Sequence, residues 1–132
     1  MKEIFINLKS ALLFCLTYLG YFLGGFDTML ITLLLFMAID YITGVLCAIK
    51  KKKLSSKIGF DGILKKLFII LLVGSVNLLG IALGINELRY LVISFYLANE
   101  GISIIENGAK LNVPIPQKIL DVLHQLKDDE HE

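Results

Sequence analysis

An aspartate, Asp40, stands in the middle of an apolar run from Thr28 to Ile49 that ends in four consecutive lysines, Lys50 to Lys53. An acid at the centre of a membrane-crossing helix costs about 2.5–3.5 kcal/mol on insertion scales, so such acids serve ion paths, proton relays or helix pairing. Asn77 and the pair Asn99–Glu100 lie inside two further apolar stretches. Asn99, Ser103, Glu106 and Lys110 recur at i, i+4, i+7 and i+11, which is one face of a helix. The candidate functional residues are therefore Asp40, Asn77, Asn99, Glu100, Ser103 and Glu106. They form an intramembrane polar seam that either glues helices together or lines a wet path. No lysine or arginine is expected at their depth, so the acids must be hydrogen-bonded, wet or protonated.

Other chemistry is not indicated. The chain holds no phosphate loop, no nucleophile–base arrangement and no HExxH, so the expectation is no enzyme, no cofactor and no metal. Cys15 and Cys47 lack metal-ligand neighbours and read as small buried apolar residues. His124 and His131 read as solvent-exposed.

The elements that must hold these residues follow from composition. Of 132 residues 56% are hydrophobic and only 19% charged, with a mean hydropathy of +0.75; that excludes an ordinary soluble domain. Apolar stretches cover about 8–26, 28–49, 67–85 and 88–107. The first three are about 28–33 Å long as helices, enough to cross a bilayer. Gly24–Asp27 and Ile85–Glu87 make short turns. The expected fold is an all-α membrane protein: four transmembrane helices as two antiparallel hairpins over 1–112, joined by a basic loop. The fourth stretch is the most polar, and its rival reading is a helix lying at the interface. Lys2 and Lys9 before the first stretch suggest a signal peptide, but no small-x-small cleavage site follows, so a retained helix is expected.

Residues 113–132 read as a cytoplasmic C-terminal segment. Val113-Pro-Ile-Pro116 breaks the chain, and Gln117–Lys127 resumes as a short amphipathic helix with Ile119, Leu120, Leu123 and Leu126 on one side. It suits a membrane surface or a partner, and an acidic tail ends the sequence.

Seven lysines, Lys50, Lys51, Lys52, Lys53, Lys57, Lys65 and Lys66, crowd the loop and share it with one acid, Asp61. Positive loops stay in the cytoplasm, which places both termini there as well. The same lysines suit anionic lipid headgroups. Nucleic acid is not indicated, since no aromatic interleaving accompanies them. Gly20/Gly24, Gly80/Gly84 and Gly44/Ala48 each permit close helix approach, so tight packing or a homo-oligomer is expected.

Longer motifs carry a resemblance. Asp40-Tyr-Ile-Thr-Gly-Val, the lysine run, Leu54-Ser-Ser-Lys-Ile-Gly-Phe-Asp-Gly62, Lys65-Lys66, Asn99-Glu-Gly-Ile-Ser-Ile-Ile-Glu-Asn107 and Val113-Pro-Ile-Pro116 occur in one order. Together they resemble the phage-lysis and toxin-secretion holin family, from about Asp40 to Leu126. The resemblance implies a small bacterial or prophage protein of the cytoplasmic membrane. Such a protein oligomerises into a lesion through which an endolysin or a large toxin leaves the cytosol, and it is not a catalyst. Carried over by position, the family-pattern residues are Asp40, Gly44, Gly59, Gly62, Asn99, Glu100, Gly101 and Glu106.

Two rival readings stay open. A small ion channel or proton-coupled carrier would use the midplane acids directly. A non-conducting membrane scaffold or antiholin would need only the glycine pairs.

Overall fold

The computed structural model describes residues 1–128. Among them the chain forms five helices: α1 Lys2–Leu23, α2 Thr28–Lys50, α3 Ser56–Leu83, α4 Glu87–Lys110 and α5 Gln117–Asp128. The first four are long and apolar enough to cross a membrane. The acidic-tail reading at 129–132 lies outside the described residues.

The turns after α1 and α3 are built alike. Gly24 and Gly84 end α1 and α3 in the left-handed conformation, at φ 82° and 70°. The next residue's N–H reaches back to the helix, from Gly25 to the Gly20 carbonyl at 2.7 Å and from Ile85 to the Gly80 carbonyl at 2.8 Å. Both are Schellman caps, a conformation glycine takes without a Cβ penalty. The spacing of Gly20 and Gly24, and of Gly80 and Gly84, is thus used within the chain to end a helix. At the start of α2, Asp27 accepts the Leu30 N–H at 3.0 Å, an N-cap that fixes the entry to the helix.

The expected basic loop over 50–66 is mostly helix. Ser55 accepts the Ile58 N–H at 3.2 Å and starts α3 eleven residues before the apolar stretch begins. Lys57, Lys65 and Lys66 are therefore helical, and the connection shrinks to Lys51–Ser55. At 28 residues α3 is about 42 Å long, more than a hydrocarbon core needs. Its first turns can carry Lys57 and Lys65 because both are exposed, and a long stem lets such a charge reach water past apolar surface.

Packing follows one hairpin, α3 on α4, but not the other. Helix α2 packs most extensively on α4, α3 packs on α4 more than on α2, and the backbone of α1 approaches only α3. The core is one apolar layer of Leu30, Leu33 and Met37 from α2, Ile69 and Val73 from α3 and Ile93 from α4, with Leu23 at the end of α1. Beyond the Pro114–Pro116 break α5 returns against α4. Its Ile119 is exposed.

Candidate functional site: two polar clusters

Asp40, Lys66 and Glu100 lie ten residues from Lys50, Ser56 and Lys110, the ends of their helices on the lysine-rich side. Each is therefore about 15 Å inside that end. This shared depth brings them together. Lys66 Nζ donates to Asp40 Oδ2 at 2.7 Å and to Glu100 Oε2 at 2.5 Å. Their side chains are 15%, 16% and 6% exposed, so one ammonium from α3 ties carboxylates of α2 and α4 away from bulk water. The expectation that no cation reaches the acids is corrected here. It rested on placing Lys66 in a loop, whereas the Ser55 cap carries it almost three turns into α3.

Asn107 completes the cluster from about two turns below Glu100. Its Nδ2 donates to Asp40 Oδ1 at 3.2 Å and to the Thr43 hydroxyl at 3.0 Å. The Cys47 thiol donates to the Asn107 carbonyl at 3.3 Å. Ser103 lines a cavity of about 220 Å³ beside these groups, with Gly44 and Ala48 of α2 and Gly59 and Gly62 of α3. The cavity's lining reaches from Leu54 at the basic end to Asp40 and Lys66. Tyr41 lies along the two α3 glycines: a Cβ at Gly59 would meet its hydroxyl at 3.2 Å, and one at Gly62 its ring at 3.4 Å.

Three expected members of the seam fall elsewhere. Asn99 is half-buried on another face of α4, and Glu106 is exposed. Asn77 lies eleven residues beyond Lys66 along α3, about 16 Å away. There it belongs to a second cluster. Cys15, expected inside, is exposed on α1, while Cys47 is buried.

This second cluster gathers around Arg89, near the start of α4. The Arg89 guanidinium donates to the Leu23 carbonyl at 2.6 Å, the Gly25 carbonyl at 2.9 Å and Asp27 Oδ2 at 2.7 Å. Asn77 donates to the Phe22 carbonyl at 3.1 Å. The C-terminal carbonyls of α1, which lack helical partners, are thus capped by side chains of α3 and α4. A cation there also suits the helix dipole. The Arg89 hydrogen bond holds the Asp27 carboxyl below the usual carboxylate range, helped by the Leu30 N–H and opposed by partial burial. A Cβ at Gly24 would run into Arg89 and Asn77, and one at Gly74 into the Phe22 ring. Close approach is what the clasp requires.

Arg89 and Asn107 were legible only in part. Arg89 is the cation nearest Asp27 once the turns after α1 and α3 share a side, and Asn107 falls seven residues after Glu100. Lys66 had a clearer signal, since Ser55 is a favoured N-cap residue ahead of the run. Among the described residues every buried side-chain nitrogen or oxygen has a hydrogen-bond partner.

Comparison with known proteins agrees with this picture of a multi-pass chain. Residues 17–128 match the bacteriophage holin family. An uncharacterized 14.9 kDa protein from the nagH 3′ region of Clostridium perfringens is 41% identical over 97% of this chain and 98% of its own length. An uncharacterized Listeria monocytogenes protein is 40% identical over 79% of this chain and 75% of its own. A protein of Bacillus phage phi105 named "Probable holin" is 40% identical over 69% of this chain and 68% of its own. No solved structure matches.

Proposed function

The chain belongs to the bacteriophage holin family, and from that premise we propose that it assembles in the bacterial cytoplasmic membrane into a lesion that releases an endolysin or a large toxin. The observation that carries the reading is the absence of a lumen among the described residues. Leu33, Met37, Ile69, Val73 and Ile93 fill the space between the two polar clusters. A folded protein cannot pass through such a chain, so its route runs between chains.

In this reading the lysine-rich end faces the cytoplasm, by the positive-inside rule, with both termini on that side. Its lysines lie against anionic headgroups. The Asp40–Lys66–Glu100 triad holds a single chain closed. On assembly the same polar face of α4, with Asp40, turns toward the passage, where water takes over the hydration of its charges. Such exchange costs less for ions that are already hydrogen-bonded and lie beside a cavity that Ser103 and Asn107 also line. A channel within one chain is disfavoured, because the lining of the cavity stops at Asp40 and Lys66 and the apolar layer begins one turn further on, at Met37 and Ile69.

The test is expression in a bacterium with and without a cytoplasmic endolysin, comparing the parent with Asp40→Asn and Glu100→Gln. Abrupt lysis that needs the endolysin supports the lesion; ion leakage without release of cytosolic protein favours a channel. Changed lysis timing in the two variants supports the triad's part. Unchanged timing and extent in both would remove it.

A further inference from the structure

Helix α1 is left without a partner along most of its length. Residues Met1 to Leu19 are all exposed, and the helix meets the rest of the chain through Phe22, Leu23 and the carbonyls held by Asn77 and Arg89. Lipid covers an exposed apolar helix well enough. The placement of its polar residues needs another cause.

Glu3, Asn7, Ser10, Phe14, Thr17 and Tyr21 follow one another at alternating steps of four and three. That is a heptad seam, the 3.5-residue repeat with which helices wind around each other. Every amide and aliphatic hydroxyl of α1 falls on it. Phe22 and Leu23 lie about 100° and 200° further round than Tyr21, so the seam is turned away from the chain's own body. Polar side chains within membrane helices face protein rather than lipid.

We infer that this seam packs against the same seam of a second copy. Copies in one membrane share one topology, so two α1 helices run parallel and each residue meets its equivalent at the same depth. That geometry selects self-complementary groups. The Asn7 carboxamide both donates and accepts, and so pairs with itself. Ser10 and Thr17 are small enough for close approach, and their hydroxyls already bond the Ile6 and Leu13 carbonyls at 3.0 and 2.8 Å. Glu3 lies at the helix end, where water screens like charges. Ile4, Ile6, Ala11, Leu13 and Tyr18 flank the seam on both sides and close it against lipid. The clasp holds the end of α1 with the seam facing away from its own body, so the partner comes from another chain. The inference needs the assembly proposed above only in requiring more than one copy.

Cysteine cross-linking of the full chain in membranes tests it, in a Cys15→Ser, Cys47→Ala background whose helicity matches the parent. Cysteine replaces in turn Asn7, Ser10, Phe14 and Thr17 on the seam, and Phe5, Leu12 and Leu19 opposite it. Oxidation is expected to give several-fold more dimer at the seam positions. Equal yields all round, or maxima at Phe5, Leu12 and Leu19, overturn the inference in favour of a lipid-facing seam or a different interface. In liposomes, energy transfer between labelled chains should show Asn7→Leu weakening association by about 3- to 15-fold, the range of an interhelical hydrogen bond, with Asn7→Gln restoring it. Neither readout depends on lysis. Periodic cross-linking without endolysin-dependent lysis would keep this interface and defeat the functional reading, and lysis with an aperiodic scan would do the reverse.

Discussion

At the basic end Asp40, Lys66 and Glu100 bind one another, whereas at the opposite end Arg89 and Asn77 mostly bind backbone. Both clusters tie several helices together, and both bury a cation. They differ in what their partners could do elsewhere. Side-chain charges find new partners in water or on another chain, so the triad can open without leaving anything permanently unsatisfied. The carbonyls ending α1 have no such freedom, since they stay at the end of a helix wherever it goes. Exposure points the same way: Asp27 is 38% exposed and reaches water unaided, while Glu100 is 6% exposed and depends on Lys66. The basic end has the properties of a lock, and the opposite end those of a fixed joint.

The sharpest way to break this contrast is Lys66→Met. Removing the shared cation leaves two enclosed carboxylates facing each other, at an expected loss of about 3–5 kcal/mol in detergent or nanodisc unfolding. Combining Lys66→Met with Asp40→Asn and Glu100→Gln should restore most of that loss, because no charge then stays unpaired. A triple variant as unstable as Lys66→Met would show that the triad is more than a charge balance.

Arg89→Met should cost less, about 1–3 kcal/mol, for carbonyls left without donors. Its effect should be local. Amide exchange should quicken at Gly24 and Gly25 while the helix around Lys66 stays protected; equal loosening at both ends would erase the distinction drawn above. Gly24→Ala tests the same joint sterically, with an expected loss of about 1–2 kcal/mol from the left-handed backbone alone.

The smallest effect belongs to Asp27→Asn, under about 1 kcal/mol, since solvent reaches and screens the Asp27 carboxylate. Because Arg89 lowers the Asp27 pKa, the pair's contribution is complete above the usual carboxylate range and fades as pH falls through the lowered value. The stability difference between parent and Asp27→Asn should therefore stay flat around neutrality and shrink only in strong acid. A difference that changed near pH 7 would mean another group controls the joint.

How legible each cluster was in the sequence depended on chain distance. Asp40 and Glu100 announce themselves, because an acid amid apolar residues is conspicuous by composition alone. Lys66 does not, because a lysine beside other lysines looks like a topology marker until the Ser55 cap shows that it is helical. Asn77 was drawn into the wrong company. Its position halfway along an apolar stretch suggested the acids' depth, but α3 starts so early that the middle of the stretch lies near the outer clasp. The glycine spacings were visible, yet the same pattern serves a Schellman cap and a helix crossing equally well.

By itself, then, the sequence determined the class of the protein: four apolar segments of bilayer length, two tight outer turns and one strongly basic connection. These are local quantities, set by transfer free energy and by single residues such as Gly24 and Gly84, so they can be read without knowing what touches what. The tertiary structure alone decided which polar groups share a site. Four long helices can be shifted along or turned about their axes at little local cost, and each turn of shift changes every partner. Only packing α2 and α3 on α4 sets the register that puts Lys66 between Asp40 and Glu100, and only packing α1 on α3 sends Asn77 to Phe22.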